Sequence, residues 1–305
     1  MIKAVFLGTP AFALPSFNKL SEIAEIAAVV CQPDRAKDRK GNFIFSPIKQ
    51  AAIERGIPVL QFEKIRRDGV ETLREIAPDI MVTCAYGQIL SQEILDIPKY
   101  GVINVHGSLL PEYRGSSPLQ WSLINGEKMT GVTIMRTDIG MDTGDMLSRV
   151  AFDIPDDMYI DELFVKAANE GADLLVKTLP DYIAGKIAPR KQDESKATKC
   201  VMLKKEDALI DWTAPNYVVR NKIRGMGYGY TFYRGEMLKI FRLSLADGNG
   251  TPGVIETDDK NFVKVYCGQG ALLLEQLQLP NKKKLPVHEF LNGTKVIGGE
   301  KLTID

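Results

Sequence analysis

Short apolar runs alternate with stretches of helical spacing along the first half of the chain. The runs Ala4–Leu7, Ile26–Cys31, Val59–Leu60, Ile80–Thr83, Val102–Val105 and Val132–Met135 predict strands. Between them, Leu14–Leu20, Pro47–Arg55, Val70–Ile76 and Leu119–Ile124 repeat their apolar residues at helical intervals. Strand and helix in alternation mean parallel strands joined by crossover helices. The expected architecture is therefore α/β: an open, mostly parallel, Rossmann-like sheet with helices on both faces. Such sheets bind their ligands outside the carboxyl ends of the strands.

From Asp161 to Ile183 the residues Leu163, Phe164, Ala167, Ala168, Leu174, Leu175 and Leu179 recur at helical spacing, and Gly185 closes that helix. A first domain is thus expected over 1–185. Residues 186–207 are charged, lack a sustained apolar period and read as a linker. After a helical segment at Pro215–Gly225, β-type runs follow at Leu238–Leu243, Gly253–Thr257, Val263–Tyr266 and Ala271–Leu277. Turns fall at Asp247-Gly248-Asn249-Gly250 and Gly268-Gln269-Gly270. A small C-terminal β-barrel domain is expected over 208–305. No internal repeat is present, which excludes a solenoid.

Composition narrows the class. The 305 residues are 45% hydrophobic, enough for two packed cores. No apolar run approaches the ~20 residues of a membrane span, and Met1–Gly8 reads into a strand, so the expected location is the cytoplasm. The four cysteines, Cys31, Cys84, Cys200 and Cys267, form no Cys-x-x-Cys pair and have no histidine beside them. They read as buried thiols, with no disulfide framework and no metal site. The net charge of zero hides a division. Residues 1–185 carry 19 lysines and arginines against 25 acids, and 186–305 carry 20 against 14. A basic C-terminal third suits a polyanion partner, though compositional scatter would give the same division.

Chemistry-bearing residues are few. Only two histidines exist, and His106 ends the strand in Val102-Ile103-Asn104-Val105-His106-Gly107-Ser108-Leu109-Leu110-Pro111. Strand side chains alternate, so Asn104 and His106 point to one face at the carboxyl end. An amide and an imidazole there supply two donors for an oxygen gaining negative charge in acyl transfer. The alternative is a histidine that satisfies backbone groups at a strand end. Asp138-Ile139-Gly140-Met141-Asp142-Thr143-Gly144-Asp145 follows another strand, on the same expected edge. It reads as a solvated turn or as the source of a carboxylate that fixes the tautomer of His106 and favours its protonated form. Its spacing does not match a calcium loop.

Gly8-Thr9-Pro10-Ala11-Phe12 occupies a dinucleotide-fingerprint position without the glycine pattern, which argues against nicotinamide. Serine-hydrolase, zinc-protease and P-loop motifs are missing, which leaves acyl transfer without a covalent protein intermediate. Arg35-Ala36-Lys37-Asp38-Arg39-Lys40-Gly41 lies in a long connection and reads as a solvated loop or a contact surface.

Asn104-x-His106-Gly107-Ser108-Leu109-Leu110-Pro111, Tyr113-Arg114-Gly115, Thr130-Gly131-Val132-Thr133 and Asp138–Gly144 together resemble the folate-dependent formyltransferases. Phe6-Leu7-Gly8-Thr9-Pro10-Ala11-Phe12, the run Asp138–Leu147 and Lys282-Lys283-Lys284…Glu289-Phe290-Leu291-Asn292-Gly293 resemble the branch whose acceptor is initiator methionyl-tRNA. The resemblance implies that Asn104, His106 and Asp142 are catalytic. It implies that Ser108, Leu109, Leu110 and Pro111 border the folate, and that Tyr86, Gly87, Gln88, Ile89 and Leu90 wall its pteridine. The formyl donor would be 10-formyltetrahydrofolate, used as a substrate, with no metal. A flat heterocycle wants apolar walls and a few aimed polar groups, which agrees with this reading.

The resemblance also implies a tRNA-contacting loop, at the place held here by Arg35, Lys37, Arg39 and Lys40, and an OB-like, tRNA-binding C-terminal barrel. The expected protein is a monomer. Two segments depart from the family pattern: Asp38 interrupts the basic run, and Arg224-Gly225-Met226-Gly227-Tyr228-Gly229-Tyr230 replaces an Asn-Pro-Trp-Pro-like phrase. Lys282-Lys283-Lys284 is the densest basic cluster, read as a phosphate contact or a solvated turn. The rival readings are formylation of an amino-sugar nucleotide, whose enzymes usually have Ala-Asp-Ala-Gly where Met141-Asp142-Thr143-Gly144 stands here, and an inert RNA-binding module.

Overall fold

In a computed structural model describing residues 1–37 and 40–305, the predicted strands in the first half of the chain share one seven-stranded sheet. The strands of this part of the chain are β1 (Ile2–Gly8), β2 (Ala24–Cys31), β3 (Val59–Gln61), β4 (Ile80–Cys84), β5 (Val102–His106), the two-residue β6 (Arg114–Gly115), β7 (Met129–Arg136) and β8 (Met146–Asp153). A further short strand, β9 (Lys199–Cys200), pairs with β6 outside that sheet. The order is β3-β2-β1-β4-β5-β7-β8. β1 to β5 are parallel, and the order reverses between β1 and β4, as in doubly wound sheets. Their apolar runs are contiguous because both faces are covered. On one face Val5, Leu7, Val30 and Met81 form a buried cluster with Val70, Leu73 and Ile94 from helical segments.

β7 departs from the expected direction. It runs antiparallel to β5, and β8 returns antiparallel to β7. An apolar run does not encode strand direction, and the hairpin to β8 fixes only the direction of β8 against β7. The acidic loop after β7 therefore leaves beside Ile103, at the amino end of β5, and not at the expected carboxyl edge.

The chain divides into two compact units, one comprising 1–118, 129–153 and 164–201, the other 119–128, 154–163 and 202–305. The second unit holds an antiparallel sheet of β10 (Gly229–Tyr233), β11 (Glu236–Ala246), β12 (Ile255–Thr257), β13 (Val263–Tyr266), β14 (Ala271–Gln278) and β15 (Leu285–Pro286). Its main path is β10-β11-β14-β13-β12, with β15 on β14. Both edges bond to the C-terminal segment. Phe232 and Thr303 exchange backbone hydrogen bonds of 2.9 Å, and the N–H of Ile255 donates to the carbonyl of Glu300 at 2.8 Å. The sheet is thus a partly closed barrel whose edges are covered by an irregular strand. Ile210, Trp212, Ile223, Ile240, Val265 and Leu272 fill it. Gly229 opens β10, a strand that the apolar pattern left unmarked. A Cβ there would lie 2.7 Å from Ile223 and 2.8 Å from Ile210, so only glycine admits this approach.

Register slips on either side of Arg242 mark a bulge in β11. The buried Tyr159 serves it. Its hydroxyl donates to the Leu243 carbonyl at 3.0 Å and accepts from the Leu243 N–H at 3.1 Å. Tyr159→Phe leaves both backbone groups buried and unpaired, and the expected loss is about 2–4 kcal/mol in chemical denaturation. A loss below about 0.5 kcal/mol would show that water replaces the hydroxyl. Among the described residues, no helix is long and apolar enough to cross a membrane.

Candidate active site

β5 presents Asn104 and His106 two residues apart on one face. The loop between β7 and β8 folds back over that face and delivers Asp142 to both. Asn104 Nδ2 lies 3.5 Å and His106 Nδ1 3.6 Å from the same Asp142 Oδ1. Both separations exceed a tight hydrogen bond, so the two nitrogens converge on one point without being committed there.

The neighbours fix each group's orientation. Thr83 on β4 donates its hydroxyl to Asn104 Oδ1 at 2.9 Å, which turns the amide nitrogen toward Asp142. His106 is 5% exposed, and its Nε2 faces the Tyr113 carbonyl at 3.1 Å. A carbonyl only accepts, so Nε2 carries a proton and Nδ1 is the nitrogen free to take or give one at Asp142. The second carboxylate oxygen, Oδ2, accepts from the Gly115 N–H at 2.9 Å. Asp142 has a φ of +55°, in the left-handed region where Asp is among the more tolerated residues.

The turn after β5 is fastened from the sheet. Thr133 Oγ1 donates to the Ser108 carbonyl at 2.7 Å and accepts from the Leu110 N–H at 3.1 Å. Arg149 donates to the Leu110 carbonyl at 3.1 Å, and the Leu110–Pro111 peptide is cis. Leu109 nests on Gly131, where a Cβ would sit 2.5 Å from the leucine. Ser108 is fully buried and donates to the Glu112 carbonyl at 2.7 Å.

The residues expected to wall a folate differ in burial. Leu110 is fully buried, and Pro111, Leu90 and Tyr86 are also core residues. Burial pushes the Tyr86 phenol well above its ordinary range, and its hydroxyl has no partner. Leu109 is partly buried and Ile89 is 64% exposed. Gly87 adopts a φ of +85°. Gln88 acts as a fastener, accepting from the Ile65 N–H and donating to the Phe62 carbonyl, each at 2.9 Å.

In the basic loop, Arg35 is exposed and bonds Glu63 at 2.9 Å, and Lys37 lies over the Phe43 ring at 4.8 Å. Lys40 is exposed, and Arg39 lies outside the described residues. The partly buried Lys49–Asp34 ion pair and Gln61 tie down the base of this loop.

Sequence reasoning missed Thr83 and Gln192 altogether. Gln192 stands in the stretch read as a linker, which carries no apolar period to mark it. Arg114 and Gly115 were visible in the motif but not in their role. Among the described residues, no group of three or more His, Cys, Asp or Glu is placed to hold a metal. All four cysteines are buried, and burial pushes Cys84 and Cys267 up to about 12. The native protein is therefore expected to leave an aromatic disulfide reagent unreacted at pH 8, with four thiols appearing on unfolding. Rapid native labelling of any one would contradict the packing.

Residues 3–179 match the formyl transferase family and 202–295 match the formyl transferase C-terminal domain. A methionyl-tRNA formyltransferase of Geobacter sulfurreducens is 45% identical, covering 99% of this chain and 96% of its own. The Clostridium tetani protein of the same name is 43% identical, covering 98% and 99%. The chain belongs to the methionyl-tRNA formyltransferase family. Family membership spans both units, and the matched N-terminal segment contains Asn104, His106 and Asp142. Among solved structures, the sugar 3N-formyl transferase WlaRD shares the fold with a TM-score of 0.68 at 21% identity, over 93% of this chain and 99% of that one. HypX from Aquifex aeolicus, solved with tetrahydrofolic acid, has a TM-score of 0.63 at 18% identity, over 100% of this chain and 51% of that one.

Proposed function

We propose that this protein transfers the formyl group of 10-formyltetrahydrofolate to the α-amino group of methionyl initiator tRNA. The observation that carries the chemistry is the convergence of Asn104 Nδ2 and His106 Nδ1 on Asp142 Oδ1. Family membership over the full chain carries the acceptor.

The amine, with a reference pKa of about 8, is partly neutral at cytosolic pH and attacks the formyl carbon directly. Nitrogen becomes cationic as the carbonyl oxygen becomes anionic. Asp142, in reach of His106 Nδ1, takes the amine proton and shares it with that nitrogen. Asn104 Nδ2 and the newly protonated Nδ1 then donate to the oxyanion, each worth on the order of 3 kcal/mol of barrier. Collapse breaks the bond to the folate nitrogen, which recovers the proton from the His106–Asp142 pair. The products are formylmethionyl-tRNA and tetrahydrofolate, with no covalent protein intermediate.

Leu109 and Ile89 supply apolar surface for the pteridine, while Ser108, Leu110, Pro111, Tyr86, Gly87, Gln88 and Leu90 shape the backbone that carries it. The catalytic domain occupies 1–185, with 186–207 as the connecting segment. The basic C-terminal domain, 208–305, tracks the tRNA phosphates together with Arg35, Lys37, Arg39 and Lys40. We assign the protein to the cytoplasm as a monomer, which light scattering on the purified chain checks.

The deciding assay offers 10-formyltetrahydrofolate together with initiator Met-tRNA, elongator Met-tRNA or an amino-sugar nucleotide. Product on the initiator alone is expected. Product on the sugar would keep the chemistry and change the acceptor, and no product on any would leave an inert RNA-binding module.

A further inference from the structure

The two matched segments leave 180–201 between them, and this interval reaches the active site. Gln192 is 8% exposed. Its amide nitrogen donates to the Asp142 and Gly144 carbonyls, each at 2.8 Å. Its amide oxygen accepts from Arg114 Nε at 2.9 Å. Arg114 is 4% exposed and clasps Glu194 through its two outer nitrogens, at 2.9 and 2.7 Å. Carbonyls only accept and a guanidinium only donates, so this arrangement admits one orientation of the Gln192 amide. Those hydrogen bonds hold the Glu194 carboxyl below the usual carboxylate range and raise the Arg114 guanidinium.

What this clamp grips is the peptide that aims Asp142. The first half of the loop fastens itself, since Asp138 Oδ1 accepts from the Gly140 N–H and from Thr143 Oγ1. The second half contains Asp142 at φ +55°, and Gly144 packs so close to the Arg136 carbonyl that a Cβ would lie 1.8 Å away. A left-handed non-glycine residue costs on the order of 1 kcal/mol or more and persists where its surroundings over-determine it. Gln192 holds the Asp142 and Gly144 carbonyls of this half, and β9 of the same interval pairs with β6, whose Gly115 N–H holds the Asp142 carboxylate.

We propose that Gln192, oriented by Arg114 and Glu194, is a positioning residue for formyl transfer: it locks the Asp142 backbone in the conformation that turns its carboxylate to Asn104 and His106. The inference rests on the reading of Asp142 as the proton-transfer partner of His106. It makes the interval between the two matched segments part of the active site.

The test is a double-mutant cycle with Gln192→Met, which keeps the side chain's length and removes its hydrogen bonds, and Asp142→Asn. Initiator Met-tRNA and 10-formyltetrahydrofolate are the substrates, with kcat, both KM values and thermal midpoints measured. Gln192→Met is expected to lower kcat about tenfold or more, the equivalent of one or two lost hydrogen bonds in the transition state, and to leave both KM values within about twofold. On the Asp142→Asn background the same substitution is expected to cost less than about twofold further. Additive losses, an unchanged kcat, or a loss confined to KM would overturn the proposal.

Should Gln192→Met not fold, the exposed Glu194→Gln decides. A kcat lowered about three- to tenfold at unchanged KM supports the clamp, and an unchanged kcat sinks it. Near-normal transfer by Asp142→Asn alone would instead refute the reading of Asp142.

Discussion

His106→Ala lowers formyl transfer at least on the order of 100-fold while folate affinity stays within a few-fold of the parent protein. The size follows from what the ring does at its two nitrogens. Nε2 is committed to the Tyr113 carbonyl at 3.1 Å, and Nδ1 stands 3.6 Å from Asp142 Oδ1. Truncation removes one of two donors aimed at the developing oxyanion and the group that shares the amine proton with Asp142. A donor in such a site is worth on the order of 3 kcal/mol, or about a hundredfold in rate. Folate affinity is expected to be spared because Leu109 and Ile89, proposed above as the pteridine's apolar surface, are untouched. Single-turnover transfer with saturating folate, beside a direct folate-binding titration, measures the two separately. Turnover within about threefold of normal would remove His106 from the reaction.

The largest effect outside the triad is expected from Gly115→Ala. Gly115 has a φ of +127°, and a Cβ there would lie 2.1 Å from the Cys200 carbonyl. Alanine therefore meets backbone strain and a backbone collision at once, and no flexible side chain can yield. The β6–β9 pairing must open, at an expected cost of about 3 kcal/mol or more in stability. The same movement withdraws the N–H that holds Asp142 Oδ2 at 2.9 Å. Transfer per folded molecule should fall at least about tenfold, since a charge-assisted hydrogen bond is worth about 1.5–3 kcal/mol. Denaturant titration and kcat on the folded fraction read the two effects. A variant with parental stability would show that β9 can move away freely, and one with parental kcat would show that the Gly115 N–H does not orient Asp142.

Contiguous apolar runs marked β1 to β5 correctly, because strands covered on both faces have no polar positions to spare. The period of two placed Asn104 and His106 on one face, and the topology of such sheets put that face where ligands bind. The Asn104–Pro111 block and the Asp138–Gly144 loop carried the family resemblance, since each needs several unusual residues at fixed spacing. Leu110 was legible only as apolar: its complete burial came from the structure, because an apolar residue reads the same whether it lines a pocket or fills a core.

What the sequence determined by itself was local: which runs are strands, which residue types stand at their ends, and which short motifs belong to a known chemistry. Only the tertiary structure decided that β7 runs antiparallel, so that the acidic loop starts from the amino end of β5 and returns across its face to reach His106. Only the tertiary structure brought Gln192 and Gly115 to Asp142, across 50 and 27 positions of sequence. The physical reason is the same in both cases. Burial and backbone periodicity act between near neighbours and leave a repeating trace in composition. A hydrogen bond between distant residues needs one donor and one acceptor, and leaves no period behind.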